Sequence, residues 1–286
     1  MSALFGPGGN SVTFQKQYRS TLDAPRFVRA CGLDCYEYEA GQGLSASPEM
    51  LSQLGANARA EGVKLSFHTP YFISLSSTEP EKRLKSIDYL YDSARACEAL
   101  GAGIMVVHTG SAAKIPRETA MAYAAETLRL ADRMLEENGF SVRLGLETMG
   151  KLNQLGTLDE VLELCALSPR FAPVVDFGHM NARERGLFYT EDDYKAVFDR
   201  IAKTIGPDYA DRLHCHFSKI EYTEKGEKRH LTFEDTIFGP DFEPLMDAIA
   251  HLGVSPTIIS ESAGTQSEDA KQMKDRYLAA VSGFRS

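Results

Sequence analysis

Eight short β-rich runs alternate with eight amphipathic stretches from one end of the chain to the other, and this alternation restricts the fold more than any other feature. The runs are Ala3–Phe5, Asp34–Tyr38, Lys64–His68, Gly103–His108, Arg143–Glu147, Pro173–Asp176, Arg212–Phe217 and Thr257–Glu261. Helical periodicity occupies Ala24–Ala30, Pro48–Glu61, Glu81–Leu100, Arg117–Asn138, Leu158–Leu167, Asp192–Ile205, Phe242–Leu252 and Glu268–Val281. Pro48, Pro80 and Pro116 stand near helix starts, where a missing N–H costs little, and Gly62, Gly101, Gly139 and Gly253 follow helix ends. No linker or low-complexity block interrupts the series, and Gly6, Gly8 and Gly9 depart from a dinucleotide-binding G-x-G-x-x-G turn at Ser11. The pattern predicts a single (β/α)8 barrel over residues 1–286 rather than an open doubly wound sheet.

In such a barrel, chemistry belongs to the C-terminal ends of the strands. Read to those ends, the third strand finishes at His68, the fourth at His108, the fifth at Glu147 and the sixth at Asp176, with His179 just beyond; the seventh carries His214 and His216, and the eighth ends at Glu261. Alternation assigns the side of each residue. Leu213, Cys215 and Phe217 suit the helix-facing side, so His214 and His216 point to the axis; Leu65 and Phe67 oppose Ser66 and His68, and Leu144 and Leu146 oppose Glu147. So many carboxylates and imidazoles aimed at one axis would cost several kcal/mol per ion unless a cation compensated them. The five cysteines form no C-x-x-C pair, so the expected metal ligands are His, Asp and Glu, a set suited to Zn, Mn or Fe.

Other residues have plainer readings. His251 sits in the last turn of a helix and complements its dipole, Tyr89 and Tyr91 lie on different faces of theirs, and Cys215 should be a buried, inert thiol. The net charge of −9 argues against phosphate binding over the whole surface. No apolar run reaches the ~20 residues of a membrane span, and Met1–Asn10 lacks the basic start and apolar core of a leader, so a cytoplasmic protein without membrane contact is expected.

The segments His68-Thr69-Pro70-Tyr71-Phe72, Val107-His108-Thr109-Gly110, Glu147-Thr148-Met149-Gly150-Lys151, Asp176-Phe177-Gly178-His179, His214-Cys215-His216-Phe217-Ser218-Lys219 and Ser260-Glu261-Ser262 resemble, in order, the motifs of the endonuclease IV family. These are apurinic/apyrimidinic (AP) endonucleases within the xylose-isomerase-like barrel superfamily. Phe5-Gly6-Pro7-Gly8-Gly9 and Gly226-Glu227-Lys228-Arg229-His230 resemble an archaeal-type branch. The resemblance implies two or three zinc ions and cleavage of DNA 5' to an abasic site, leaving a 3'-hydroxyl. It implies His68 and His108 on one ion, Glu147 bridging to a second completed by Asp176, His214 and Glu261, and His179 with His230 on a third. Glu147 and Glu261 become the catalytic carboxylates, and Tyr71, Phe72, His216, Lys219 and Arg229 the substrate contacts. The family's third site also uses an Asp, where this chain has Lys228; Glu227 is the expected substitute. Glu37 and Glu39, read as the start of the loop after the second strand, face the DNA backbone in this reading and weaken its binding.

A sugar isomerase or epimerase of the same superfamily is the alternative. It needs one ion, held here by Glu147, Asp176, His214 and Glu261, and leaves His68, His108, His179 and His230 without a ligand role. The expected partners are accordingly abasic duplex DNA, another phosphoester or a sugar, and the expected state is a monomer.

Overall fold

Short runs of Val, Ile, Leu and Phe, punctuated by residues that end helices, become the strands of one parallel sheet in a computed structural model that describes residues 2–283. Residues 1 and 284–286, which the expected 1–286 domain also spans, lie outside the described residues. The strands are β1 (Leu4–Pro7), β2 (Cys35–Glu39), β3 (Lys64–His68), β4 (Ile104–His108), β5 (Arg143–Glu147), β6 (Phe171–Asp176) and β7 (His214–Phe217), followed by the hairpin β8 (Ile220–Thr223) and β9 (Gly226–His230), and then β10 (Thr257–Ser260). Parallel pairing runs β2-β3-β4-β5-β6-β7-β10-β1. Closure between β1 and β2 rests on a Gly8–Glu37 bridge and on Asp34 N donating to Phe5 O at 2.8 Å. The two strands approach so closely there that a Cβ on Gly6 would lie 1.8 Å from the Cys35 carbonyl oxygen, which is why β1 carries glycine at that point.

The outward faces of the strands pack under the helices as the alternation predicts. Leu213, Cys215 and Phe217 join Phe177, Tyr194 and Phe198 in one apolar cluster, while Phe67, Leu144 and Leu146 join Leu90, Leu128 and Leu164 in another. Each fully buried Leu or Phe contributes roughly 1.5–3 kcal/mol, so these clusters, and not the polar axis, hold the strands in register. Helix starts match their chemistry: Ser47 accepts from Met50 N at the start of Pro48–Glu61, and Thr157 forms a capping box with Glu160.

The polar loop 219–239 holds the β8–β9 hairpin, which the sequence pattern concealed because β8 alternates over only four residues and β9, Gly226–His230, has no large apolar residue. Gly226, at φ +86°, turns the hairpin against the segment after β5, where Glu227 N donates to Gly150 O at 3.1 Å. The hairpin is thereby laid over the rim formed by the strand ends. A short helix, Phe177–Glu184, is also new relative to the sequence pattern; its N-cap is Asp176, whose Oδ1 accepts from His179 N at 2.7 Å.

Candidate metal centre

The strand ends bring their ionisable side chains to one rim, and hydrogen bonds to backbone carbonyls fix which nitrogen of His68 and of His179 faces inward. His68 Nδ1 lies 2.9 Å from Thr69 O, and His179 Nδ1 lies 3.0 Å from Thr148 O. A carbonyl only accepts, so each Nδ1 carries the proton and each Nε2 is left as the electron-pair donor. His68 Nε2 then stands 3.5 Å and His108 Nε2 3.3 Å from the same oxygen, Glu147 Oε2. His179 Nε2 lies 3.5 Å from Glu227 Oε2, and His230, whose Nδ1 meets Ser218 Oγ at 2.8 Å, packs its ring against that of His179. At the centre, His216 Nδ1 is 3.0 Å from Glu147 Oε1 and 3.2 Å from Glu261 Oε1.

Five donor sets result among the described residues: three at the rim, namely His68, His108 and Glu147, then Glu147, Asp176, His216 and Glu261, and then His179, His230 and Glu261, and two that include Glu37, namely Glu37, His214 and His216, and Glu37, Glu39 and Glu261. Within each, the donor atoms lie within 4.8 Å of one another; Glu147 belongs to two sets and Glu261 to three, two of them at the rim. Glu147 Oε2 and Asp176 Oδ2 are buried without any hydrogen-bond partner. Such atoms are costly unless a cation meets them, so the residues present fit divalent ions with mixed N/O ligation.

The electrostatics show the strain of the set without ions. Burial opposes the charge on Glu147, but the imidazoles of His216, His108 and His179 outweigh it and hold the carboxyl well below its usual range. Burial, with Glu261 and Glu147 nearby, raises Asp176 to about 7, and burial beside Glu37 and Glu261 raises Glu39 to about 8. His68 goes the other way from what its burial dictates, because Glu39 and Glu147 push it up to about 10.

Several sequence expectations change. His214 is on the axis but does not reach the central set; it sits one pleat deeper, with Nε2 2.9 Å from Glu37 Oε2, and His216 takes its expected place beside Glu147, Asp176 and Glu261. The reason is register: two residues along a strand move a side chain by one full layer of the barrel. Glu37 is not in a loop facing DNA. It is fully buried on β2, and Glu39 ends that strand at the mouth, so the predicted backbone repulsion at Glu37 does not exist. The signal was present in Cys35-Tyr36-Glu37-Tyr38-Glu39, whose alternation already assigns both carboxylates to the axis.

Lys219 is buried and committed to structure: its Nζ donates to Asp235 O at 2.7 Å and pairs with Asp241 at 2.9 Å, which removes it from the expected substrate contacts. Arg229 and Lys228 both turn outward to Glu221, at 2.6 and 2.5 Å, leaving Glu227 as the carboxylate of that strand that faces the site. Tyr71 and Phe72 are half exposed at the rim. Tyr71 stacks on the His108 ring at 5.3 Å, and a Cβ on Gly41 would lie 2.2 Å from the Tyr71 ring, so a glycine-built loop cradles this aromatic over the site. Cys215 is buried, as expected, and His251 meets Glu191 at its helix end.

Beside the donor sets lies a cavity of about 470 Å³ whose wall includes Met149, Lys151 and Gln154. A second, of about 420 Å³, opens on the other side of Tyr71, His230 and Glu261 and is lined by Glu39, Gln42, Ser45 and Gln266.

The model of the xylose isomerase-like TIM barrel family matches residues 25–279. The chain belongs to this family. Among its relatives is an uncharacterized protein of Methanocaldococcus jannaschii, 28% identical over 260 residues, which are 91% of each chain. A probable endonuclease 4 of Acholeplasma laidlawii is 29% identical over 160 residues, 54% of this chain and 52% of that one. Two solved structures share the family fold: a D-tagatose 3-epimerase-like protein, with a TM-score of 0.74, 18% identity and coverage of 98% and 100%, and endonuclease IV from Thermus thermophilus, with a TM-score of 0.67, 19% identity and coverage of 98% and 99%. Relatives in sequence carry the name endonuclease, and neighbours in fold carry the names of endonuclease and epimerase. Among the described residues, no helix is long and apolar enough to cross a membrane.

Proposed function

We propose that the chain is a metal-dependent phosphoester hydrolase of the endonuclease IV kind, cleaving the phosphodiester 5' to an abasic site with two or three zinc ions, which Mn or Fe can replace. The observation that carries this reading is the sharing of Glu147 and Glu261 between the three donor sets at the rim. One ion would leave most of these donors idle, whereas a phosphoester needs several positive charges held close together. When bound, such ions lower the pKa of water and neutralise charge on a phosphoryl group. The residues supply the geometry: Glu147 joins the His68–His108 set to the central set, Asp176 and His216 complete the centre, and Glu261 joins the centre to His179 and His230 of the outer set, beside which Glu227 lies 3.5 Å from His179. Lys151 places a cation on the cavity wall suited to a phosphate oxygen, and Tyr71 and Phe72 offer apolar faces to an unstacked site. Affinity for DNA should be low, because Lys219, Lys228 and Arg229 are engaged by carboxylates and the net charge is −9.

The epimerase reading is favoured by a different observation. Among the described residues the second cavity has no Lys or Arg in its lining, and its Gln42, Ser45 and Gln266 suit a neutral polyhydroxyl ligand. The deciding experiment is single-turnover cleavage of an abasic duplex by zinc- or manganese-loaded protein, run beside a ketose epimerisation assay. A 3'-hydroxyl product that disappears in Glu147→Gln supports the hydrolase. Sugar turnover without any cleavage transfers the site to the epimerase reading.

A further inference from the structure

Beneath the central donor set lies a polar layer that none of the roles above uses. Glu37 is fully buried, and its two oxygens are divided between two imidazoles of one strand. Oε2 meets His214 Nε2 at 2.9 Å, and Oε1 lies 2.8 Å from His216 Nε2. Glu37 Oε1 and His216 Nε2 are both buried without a well-formed hydrogen bond, so this 2.8 Å approach is a charge contact between them. The His216 ring therefore spans two layers, with Nε2 toward Glu37 and Nδ1 toward Glu147 and Glu261.

We infer that Glu37, balanced by His214, is a positioning residue that orients His216 so that Nδ1 faces the central ion. A carboxylate accepts only, so the His216 nitrogen facing it is the one that carries a proton, and the lone pair is left on the opposite side of the ring. A carboxylate behind a ligating imidazole also increases its donor strength. His214 explains how a fully buried carboxylate is tolerated: with His216 alone, Oε2 would lack a partner. The alternation that places His214 and His216 on one face supplies both imidazoles from β7, while Glu37 comes from β2 across the barrel.

This inference rests on the metal reading of the site and is tested by binding rather than turnover. Full-length wild type, Glu37→Gln, Glu37→Ala and His214→Gln are stripped of metal and titrated with Co²⁺, following the visible absorption of each bound ion and competing with a chelator. The central ion should bind about 100-fold more weakly in Glu37→Ala and about tenfold more weakly in Glu37→Gln, which keeps an acceptor but not the charge, with ions at the other sets unaffected. His214→Gln should fall between wild type and Glu37→Ala. Wild-type affinity in Glu37→Gln, or in Glu37→Ala where that variant folds, overturns the inference. So does an equal loss at every set together with a lower Tm of the metal-free protein, since that is the mark of a purely structural pair. A wild type that takes up no Co²⁺ instead sinks the metal reading, and this proposal with it.

Discussion

His214 and His216 stand two residues apart on β7 and face the same axis, yet one hydrogen-bonds a buried carboxylate below the rim and the other joins the central donor set. In the lower layer Glu37 Oε2 meets His214 Nε2 at 2.9 Å, and Oε1 lies 2.8 Å from His216 Nε2 without hydrogen-bond geometry. In the upper layer Glu147 Oε2 and Asp176 Oδ2 also lack a hydrogen-bond partner, and there the donors of Glu147, Asp176, His216 and Glu261 converge. Identical residue types thus play different parts according to depth, and a ligand is distinguished from a support by the number of donors that converge on it.

Substitutions at the two depths should separate most strongly. Glu147→Gln or His216→Ala should abolish abasic-site cleavage, a loss of about 10³-fold or more if several kcal/mol of charge stabilisation disappears, and should reduce the metal content measured by elemental analysis. His214→Ala should retain the full ion count, with affinity lower by about tenfold. Equal loss of ions in His214→Ala and His216→Ala would erase the distinction between the layers.

The outer set offers a smaller contrast. Glu227→Ala should remove one ion per chain, because Glu227 is the hairpin carboxylate 3.5 Å from His179, while Lys228→Ala should leave the count unchanged, since Lys228 points to Glu221. An unchanged count in both would exclude Glu227 as the replacement for the family's Asp.

Solution pH should move the two forms of the protein in opposite directions. Asp176, Glu39 and His68 have folded-state values of about 7, 8 and 10 against ordinary values of 3.8, 4.5 and 6.5. The metal-free folded protein therefore holds more protons than the unfolded chain across this range, and these groups lose their contribution as pH rises through it. Metal binding at His68 and Asp176 requires their protons to leave, so affinity rises with pH. The Tm difference between metal-loaded and metal-free protein should widen from about pH 6 to about pH 9; a constant difference would mean that His68 and Asp176 are not ligands. Smallest of all, Arg229→Ala should alter cleavage less than about twofold, within the range of an exposed ion pair, as its guanidinium is engaged with Glu221.

The barrel was legible because two periods, 2 and 3.6, alternate without interruption, and because a run such as Leu213-His214-Cys215-His216-Phe217 declares its faces by itself. Its depth was not legible: the alternation gives both histidines the same side, and only the register of β7 against β6 and β10 sets His216 level with Asp176 and Ile259. Glu37 was missed because, although it lies inside the expected strand Asp34–Tyr38, it was read with Glu39 as part of the loop that follows. In the hairpin that carries Glu227 and His230 only β8 has apolar residues, Ile220 and Tyr222, and β9 is held by contacts with Gly150 and Leu152 that lie far away in sequence.

The most direct test of the shared-carboxylate centre is the number of ions in the full-length protein purified without chelator, determined by elemental analysis against protein concentration. Two or three divalent ions per chain are predicted from donor sets that share Glu147 and Glu261. One ion per chain at full occupancy, or none, would contradict the account.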